Sequence, residues 1–494
     1  MISCFHRMVS SMAALGAAML GFTQQPFSLD TTFRTNINSQ YVSSIIPVED
    51  GKILVSGWME MDDADNPQLL TRLNTNGTRD TDFPLDLFGQ GKLIPLDDKV
   101  YVGRTQIVSR IFLNGELDPL WAEMNTTPYF NSLQGGDYHV FPDGRIVMSG
   151  VHTLSDSIRG FVGYYNFIWF TNTGYLDTTR IHRTGNGAIL RFTELPDGKF
   201  LCSGTGTEFE GQPVDRIFRL NSNGSLDNSF QSDVNWGEVY GYLPLEDGRV
   251  YAGGRFRKSG APDDTLHLVR FLPDGQIDPS FQPPHFSLGA IPDQGELGGM
   301  VRSITPFSLG RVIVTGLFQY ANGEPRRGIC MLDSTGTLLD VFEGHGVFPY
   351  TYQGFTYGHV EGIAPYGEDQ YIIWGNYHGY GDDQVTDMEQ RYVTRLHGAD
   401  ITVQLTEAEE SIDAFRLHPN PTNTWVAITY DLQGKAEAGS VDIKDAVGHT
   451  VSTQPITTEK GQLVIDTRSF GAGMYTVLLT NAGQVIDLEK LVVQ

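Results

Sequence analysis

Cysteine is nearly absent from the sequence, with Cys4, Cys202 and Cys330 the only three in 494 residues. So few exclude a disulfide framework. Cys202 and Cys330 fall in non-adjacent units of the repeat described below, so both are expected to behave as small buried apolar residues. Long hydrophobic runs are missing too. Beyond residue 22 no stretch reaches the roughly 18 apolar residues that mark a spanning helix, so no transmembrane segment is expected. Basic residues are scarce, 34 Lys and Arg against 59 Asp and Glu for a net charge of -25, and they do not cluster. That excludes a nucleic-acid footprint, and the diffuse acidity mainly keeps the chain soluble. The motifs HExxH, GxSxG and the P-loop are all lacking. The 12 histidines are scattered, and His345, His359 and His378 share one unit at a spacing that fits no metal site. No cofactor is expected. Calcium is raised only by the acid-rich stretches DDADN (62–66) and GDDQVTD (381–387), and neither follows the D-x-[DN]-x-[DN]-G loop.

The sequence begins with MISCFHR, carrying Arg7, and continues into the apolar, small-residue stretch 8–22. A charged start followed by about 15 apolar residues is the pattern of a secretory signal peptide. Cleavage is expected before Gln24, giving a signal peptide over 1–23.

Two landmarks then recur. The first is a turn followed by a strand: EDGKILVSG (49–57), LDDKVYVGR (96–104), PDGRIVMSG (142–150), PDGKFLCSG (196–204), EDGRVYAGG (246–254), SLGRVIVTG (308–316) and GEDQYIIWG (367–375). The second is a strand, a turn and an ending, as in RLNTNGTRDTDF (72–83), RLNSNGSLDNSF (219–230) and FLPDGQIDPSF (271–281). Asp-Gly and Asn-Gly steps supply the positive φ of tight turns, and the apolar runs between them suit buried or half-buried strands. Each unit therefore predicts four short antiparallel strands. A period of about 50 residues with four strands per unit is the pattern of a β-propeller blade, and seven copies predict seven blades. The recurring Asp of the ending (Asp30, Asp80, Asp118, Asp177, Asp227, Asp278) is expected to bond local backbone amides. The seventh unit lacks an ending, whereas FSLDTTF (27–33) is an ending without a unit. This N-terminal segment is expected to pair beside Val393 to Leu396 and complete the last blade, covering edges that an open array would expose. Stretches such as PDGKFLCSG…GQPVDRIFRLNSNGSLDNSF resemble delta-60 repeats of bacterial secreted and surface proteins, a family that implies no catalytic residues.

After residue 400 the pattern changes. Residues 401–414 are polar and acidic and are expected to form a linker between a propeller over 24–400 and a small β-sandwich over 415–494. The fold class is thus all-β, a seven-bladed propeller followed by a sandwich. The last module is similar to the type IX (Por) secretion C-terminal sorting domain of Bacteroidota. The resemblance rests on Pro419-Asn420-Pro421, the turn ending at Gly448, Gly473-Met474-Tyr475, and the tail from Lys490 to Gln494. It implies passage across the outer membrane and the type IX machinery as a partner.

Longer connections enter the third, sixth and seventh units. In up-and-down blades these connections share a face with the turns between the second and third strands, and insertions often build a binding face. They bring Tyr129, Phe130 and Tyr138, then Phe348, Tyr350, Tyr352, Phe355 and Tyr357, with Trp236 on the same connection of the fifth unit. Such aromatic, Gly-rich segments suit a sugar or a protein partner, and the alternative is that they plug the channel mouth and pack on neighbouring blades. Three readings stay open: an exported, non-enzymatic binding or display propeller, a propeller enzyme acting on glycans, and a structural surface protein. A monomer is expected.

Overall fold

Antiparallel strands account for nearly all regular structure in the computed structural model. It describes residues 25–398 and 415–493 except 85–87, 105, 123, 125–128, 262–263, 292–294, 353–354, 368, 433–438, 446–447 and 482–483. The expected signal peptide, linker and Gln494 lie outside the described residues.

Among the described residues, seven sheets of the repeat region are built on three antiparallel strands that pair in chain order, with short hairpin strands inserted before the third strand of the fourth and sixth sheets and His345–Val347 added beside the middle strand of the seventh. Their first strands are Ile37–Pro47, Leu93–Leu96, Phe130–Val140, Ile189–Glu194, Val234–Pro244, Met300–Pro306 and His359–Tyr366. Each middle strand follows a tight turn, is apolar and is largely buried, as in Ile53–Met61, Phe200–Gly204 and Val312–Leu317. Successive sheets stack through apolar clusters. One joins Val239 and Val250 of the fifth sheet to Leu201 and Ile217 of the fourth. Another joins Ile313 and Ile329 of the sixth to Val360 and Ile373 of the seventh. A third joins Ile45 and Val55 of the first to Ile372 and Val393 of the seventh. The last of these brings the two ends of the repeat region together.

The fourth strand of each unit is shorter than the sequence predicts. In most sheets it is a single bridge, such as Leu73 to Arg79, Leu220 to Leu226 or Phe271 to Ile277, before the chain turns away. The turn is made by the recurring Asp, whose Oδ1 accepts the backbone N–H two residues on. Asp80 accepts from Asp82, Asp118 from Leu120, Asp177 from Thr179, Asp227 from Ser229 and Asp278 from Ser280. The other oxygen takes a partner that the sequence reading missed, an arginine on the third strand. The pairs Arg72–Asp80, Arg110–Asp118, Arg219–Asp227 and Arg270–Asp278 all measure 2.7 Å. The guanidinium also covers the aromatic ring of the ending, Phe83, Trp121, Phe230 or Phe281. Its Nη1 then donates to a turn carbonyl of the following sheet, on Leu113, Asn172, Pro273 or Ser334. Each arginine is thereby a strut between neighbours. In the third sheet Trp169 occupies that position, and Arg183 supplies the strut instead by donating to the Asn223 carbonyl.

The N-terminal segment completes the same scheme. Leu29 bridges Leu396, Asp30 N–H donates to the Arg395 carbonyl, and His397 N–H donates to the Ser28 carbonyl. Arg395 meets Asp30 at 2.7 Å, lies over Phe33, and donates to the Thr75 carbonyl of the first sheet. Phe27, Leu29 and Phe33 are buried, and Leu29 N–H donates to Asp382 Oδ2 at 2.7 Å. The expected clasp is present, and it carries the strut from the seventh sheet to the first.

At the C-terminal end a three-stranded sheet (Phe415–His418, Trp425–Asp431, Lys460–Asp466) and a four-stranded sheet (Gly439–Lys444, Thr450–Ile456, Gly473–Asn481, Gln484–Val493) share one core. Val426 and Ile465 of the first meet Val441, Val477 and Leu491 of the second. This is the expected β-sandwich.

Candidate functional site

A glycine of the middle strand positions the site. In the first, fourth, fifth, sixth and seventh sheets the first strand carries one extra residue opposite it, a β-bulge. The bulge presses a first-strand carbonyl against the glycine. A Cβ on Gly57, Gly204, Gly254, Gly316 or Gly375 would sit 2.1–2.2 Å from the oxygen of residue 41, 188, 238, 300 or 359, so no side chain fits. The extra residues are Ser43, Leu190, Tyr240, Arg302 and Glu361, all half-buried.

Three of these, on consecutive sheets, meet. The Arg302 guanidinium lies 4.3 Å from the centre of the Tyr240 ring. Its Nε is 3.9 Å from Glu361 Oε2, and His359 approaches the same carboxylate at 3.5 Å. Tyr240 OH donates to Glu238 at 2.6 Å. Burial, with Glu238 adding, pushes the Tyr240 phenol up to about 12, so it stays a donor. For Glu361, burial alone would raise the carboxyl, but His359, Arg302 and Arg191 outweigh it and hold it below its ordinary value. On the other side Lys92 contacts Asp137 at 3.2 Å and His139 contacts Glu194 at 2.9 Å. Burial, aided by Lys92, takes the His139 imidazole down to about 4, and burial raises Glu194.

The sequence-predicted aromatic residues divide. Phe130 and Tyr138 are buried, because the inserted stretch is not a loop but the strand Phe130–Val140. Phe130 packs in a cluster with Val108 and Met124, and Tyr138 OH donates to the carbonyls of Lys92 and Tyr101. Both serve packing between sheets. Tyr350 is half-buried, stacked on His378 at 3.7 Å and bonded through its hydroxyl to Asn376, while Phe348 is covered by Arg327. Tyr129 and Trp236 are exposed, at 41% and 43%. Trp236 is flanked by Arg257, 4.6 Å from its ring centre, and by Arg255 at 5.9 Å. Tyr352 and Phe355–Tyr357 lie in a hairpin, Tyr350–Tyr352 with Phe355–Tyr357, but the side chains of Tyr352, Phe355 and Tyr357 lie outside the described residues. The sequence reading missed Tyr41 and Trp58, an exposed cross-strand pair.

The shared face is visible in the sixth sheet, where the entering insertion pairs with the turn between second and third strands (Phe286 with Ala321, Ser287 with Tyr320). The acid-rich stretches spend their carboxylates on protein donors. Asp63 accepts from Asn36 and Arg79, and Asp382 from Leu29, Gln384 and Val385.

In the C-terminal module two distant motifs touch. Asn420 donates to the Lys490 carbonyl and accepts the Val492 N–H, while Thr422 N–H donates to the Val492 carbonyl. Pro419 and Pro421 flank this clip, Gly448 takes the positive φ of its turn, and Tyr475 OH donates to the Gly471 carbonyl. Met474 is exposed.

Residues 416–494 match the family described as a secretion system C-terminal sorting domain, and residues 49–83, 195–230 and 245–281 match the domain of unknown function DUF5122 β-propeller. The chain thus carries β-propeller repeats and a C-terminal segment that matches the Por secretion sorting domain. That tail directs export across the outer membrane, to the cell surface or the extracellular space, and implies contact with the secretion machinery. No curated protein matches the sequence. Among solved structures, the extracellular domain of a hybrid two component system from B. thetaiotaomicron is similar at 10% identity and a TM-score of 0.37; 96% of this propeller protein is covered, but only 59% of that chain. PorZ, a surface component of the type-IX secretion system of Porphyromonas gingivalis, is similar at 10% identity over 92% of this chain and 81% of its own, with a TM-score of 0.24. The Neurospora crassa Pan2 WD40 domain gives 10% identity, 76% and 98% coverage and a TM-score of 0.35. No helix among the described residues is long and apolar enough to cross a membrane.

Proposed function

We propose that the protein is an exported, non-enzymatic β-propeller that binds a ligand at the cell surface. In this reading residues 1–23 are the signal peptide, 24–400 a seven-bladed ring, 401–414 a linker and 415–494 the sorting module. The observation that carries it is the exposed Trp236 between Arg255 and Arg257. A large aromatic ring left partly in solvent with guanidinium cations lying over it is the composition of binding hot spots. Glycan cleavage would call for two carboxylates free to act on one bond, whereas Glu238, Glu361 and Asp137 each engage a neighbouring side chain. The test is a glycan and protein array probed with the secreted chain and with Trp236→Ala. Binding that falls at least tenfold in the variant supports the reading; binding unchanged by the substitution overturns it.

A further inference from the structure

The guanidinium of Arg302 is poorly satisfied. It makes no hydrogen bond among the described residues, its Nε is buried without a partner, and Glu361 stands off at 3.9 Å. An arginine carries five donors in a fixed fork that matches a carboxylate. Leaving the buried Nε without a partner is costly, and the remaining donors of the fork are open to a ligand. Arg191, next to the bulge of the fourth sheet, is in a similar condition, since among the described residues its guanidinium donates only to the neighbouring Leu190 carbonyl. The two arginines flank the fifth sheet, whose Tyr240 lies beneath Arg302. The strands that carry them, Ile189–Glu194 and Met300–Pro306, both lie against Val234–Pro244, and both arginines act electrostatically on Tyr240 and on Glu361.

A path leads from these arginines to the rim. Between the two bulges of Val234–Pro244, residues Trp236 and Glu238 share one face while Val239 is buried on the other, and Tyr240, the residue of the second bulge, joins that face by donating to Glu238. Trp236 is exposed and Tyr240 half-buried. Four residues of strand separate them by roughly 13 Å. The stripe offers an aromatic surface at the outer end, acceptors in the middle (Glu238, Glu361) and unfilled cationic donors at the inner end. A ligand matching that order has a flat, hydroxylated body and a carboxylate at its leading end.

We propose that Arg191 and Arg302 form a carboxylate-binding subsite for an acidic sugar, with Trp236 stacking the next ring of the chain. This rests on the ligand-binding reading above and names the ligand class for the same face. Glu238 and Glu361, already held by Tyr240 and His359, then accept sugar hydroxyls, and the protein's overall negative charge makes recognition depend on this local pair of cations.

The test is isothermal titration of the full secreted chain with glucuronate and galacturonate oligosaccharides, with their neutral hexose counterparts, and with peptides ending in a free carboxylate. The expected result is uronate binding that weakens with salt and a neutral counterpart at least tenfold weaker. Arg302→Met and Arg191→Met should each lose at least tenfold, with part of it restored in Arg302→Lys, and Trp236→Ala should weaken oligosaccharides more than the monosaccharide. Arg302→Lys, which keeps the charge, also guards against a folding defect in Arg302→Met. Equal binding of uronate and neutral forms, no uronate binding, or preference for the peptides would each overturn the inference. An array hit on a neutral ligand that survives Arg302→Met but is lost in Trp236→Ala would overturn it while leaving the broader binding function standing.

Discussion

Replacing Asp30 by alanine tests whether the ring is fastened as described. The carboxylate is nearly inaccessible, with 5% of its side chain exposed against 10% for Arg395. The substitution removes the 2.7 Å pair with Arg395, the bond from Gln370 and the two bonds to Thr32. It leaves Arg395 with only the Thr75 carbonyl and Thr32 hydroxyl as hydrogen-bond partners, over the Phe33 and Tyr366 rings. Stranding one member of a buried pair costs about 3–5 kcal/mol. Removing residues 24–33 altogether also exposes the sites of Phe27, Leu29 and Phe33, each worth about 1.5–3 kcal/mol. The measurement is thermal unfolding combined with hydrogen exchange. Asp30→Ala should melt several degrees lower and accelerate exchange at 393–397. Adding Arg395→Met should recover part of the loss, because the stranded charge goes with it. Asp278→Ala is the reference, since there the same motif stays attached through continuous chain. If Asp30→Ala melts within a degree of the parent while Asp278→Ala is clearly destabilised, the clasp reasoning fails.

Three further outcomes follow from the same geometry. Asp80 and Asp278 are held at about 2 in the folded protein against 3.8 without it: burial opposes this, but bonds from Lys52 and Arg72, or from Ser280 and Arg270, prevail. Their contribution, roughly 2 kcal/mol each, is complete above pH 3.8 and lost as pH falls towards 2, so acid titration of the melting temperature should drop through that window and flatten in Asp80→Asn/Asp278→Asn. Gly254→Ala drives a Cβ into the Glu238 carbonyl and should cost at least about 2 kcal/mol, whereas Gly160→Ala, which meets nothing within 4 Å but sits at φ +82, should cost about 1 kcal/mol; chemical denaturation distinguishes them. Deleting 416–494 should leave the propeller protein inside the outer membrane, read by cell fractionation.

The repeat was legible because turn chemistry and strand patterning recur at fixed offsets, and so was the role of the Asp, which needs only its own next two residues. The arginine eight positions earlier was on the page in four units, but its role depends on a neighbouring sheet that the sequence does not place. The recurring glycine of the middle strand was likewise visible, while its cause in five sheets, a bulge on the partner strand, emerges only from register. Phe130 and Tyr138 were assigned to a binding loop because an insertion looks alike whether it projects as a loop or lengthens a strand. Arg191, Arg302 and Glu361 gave no signal at all. They fall at or beside one repeat position, the bulge residue of the first strand, which is Ser43, Leu190, Tyr240, Arg302 and Glu361 in five units, so no shared residue type marks it in the sequence.

The clasp also sets an order of events. Asp30 and Arg395 are separated by 365 positions, so the first stretch of the ring to be synthesised finds its partner only when nearly the last has been made. Every earlier sheet can form from local hairpins, but closure is a single late contact across the whole length, the kind that slows folding. Until then Phe27, Leu29 and Phe33 stay uncovered beside an unfilled sheet edge. A chain halted before residue 393 would therefore leave a ring with an adhesive gap, and during export that is the moment at which the protein most needs a chaperone.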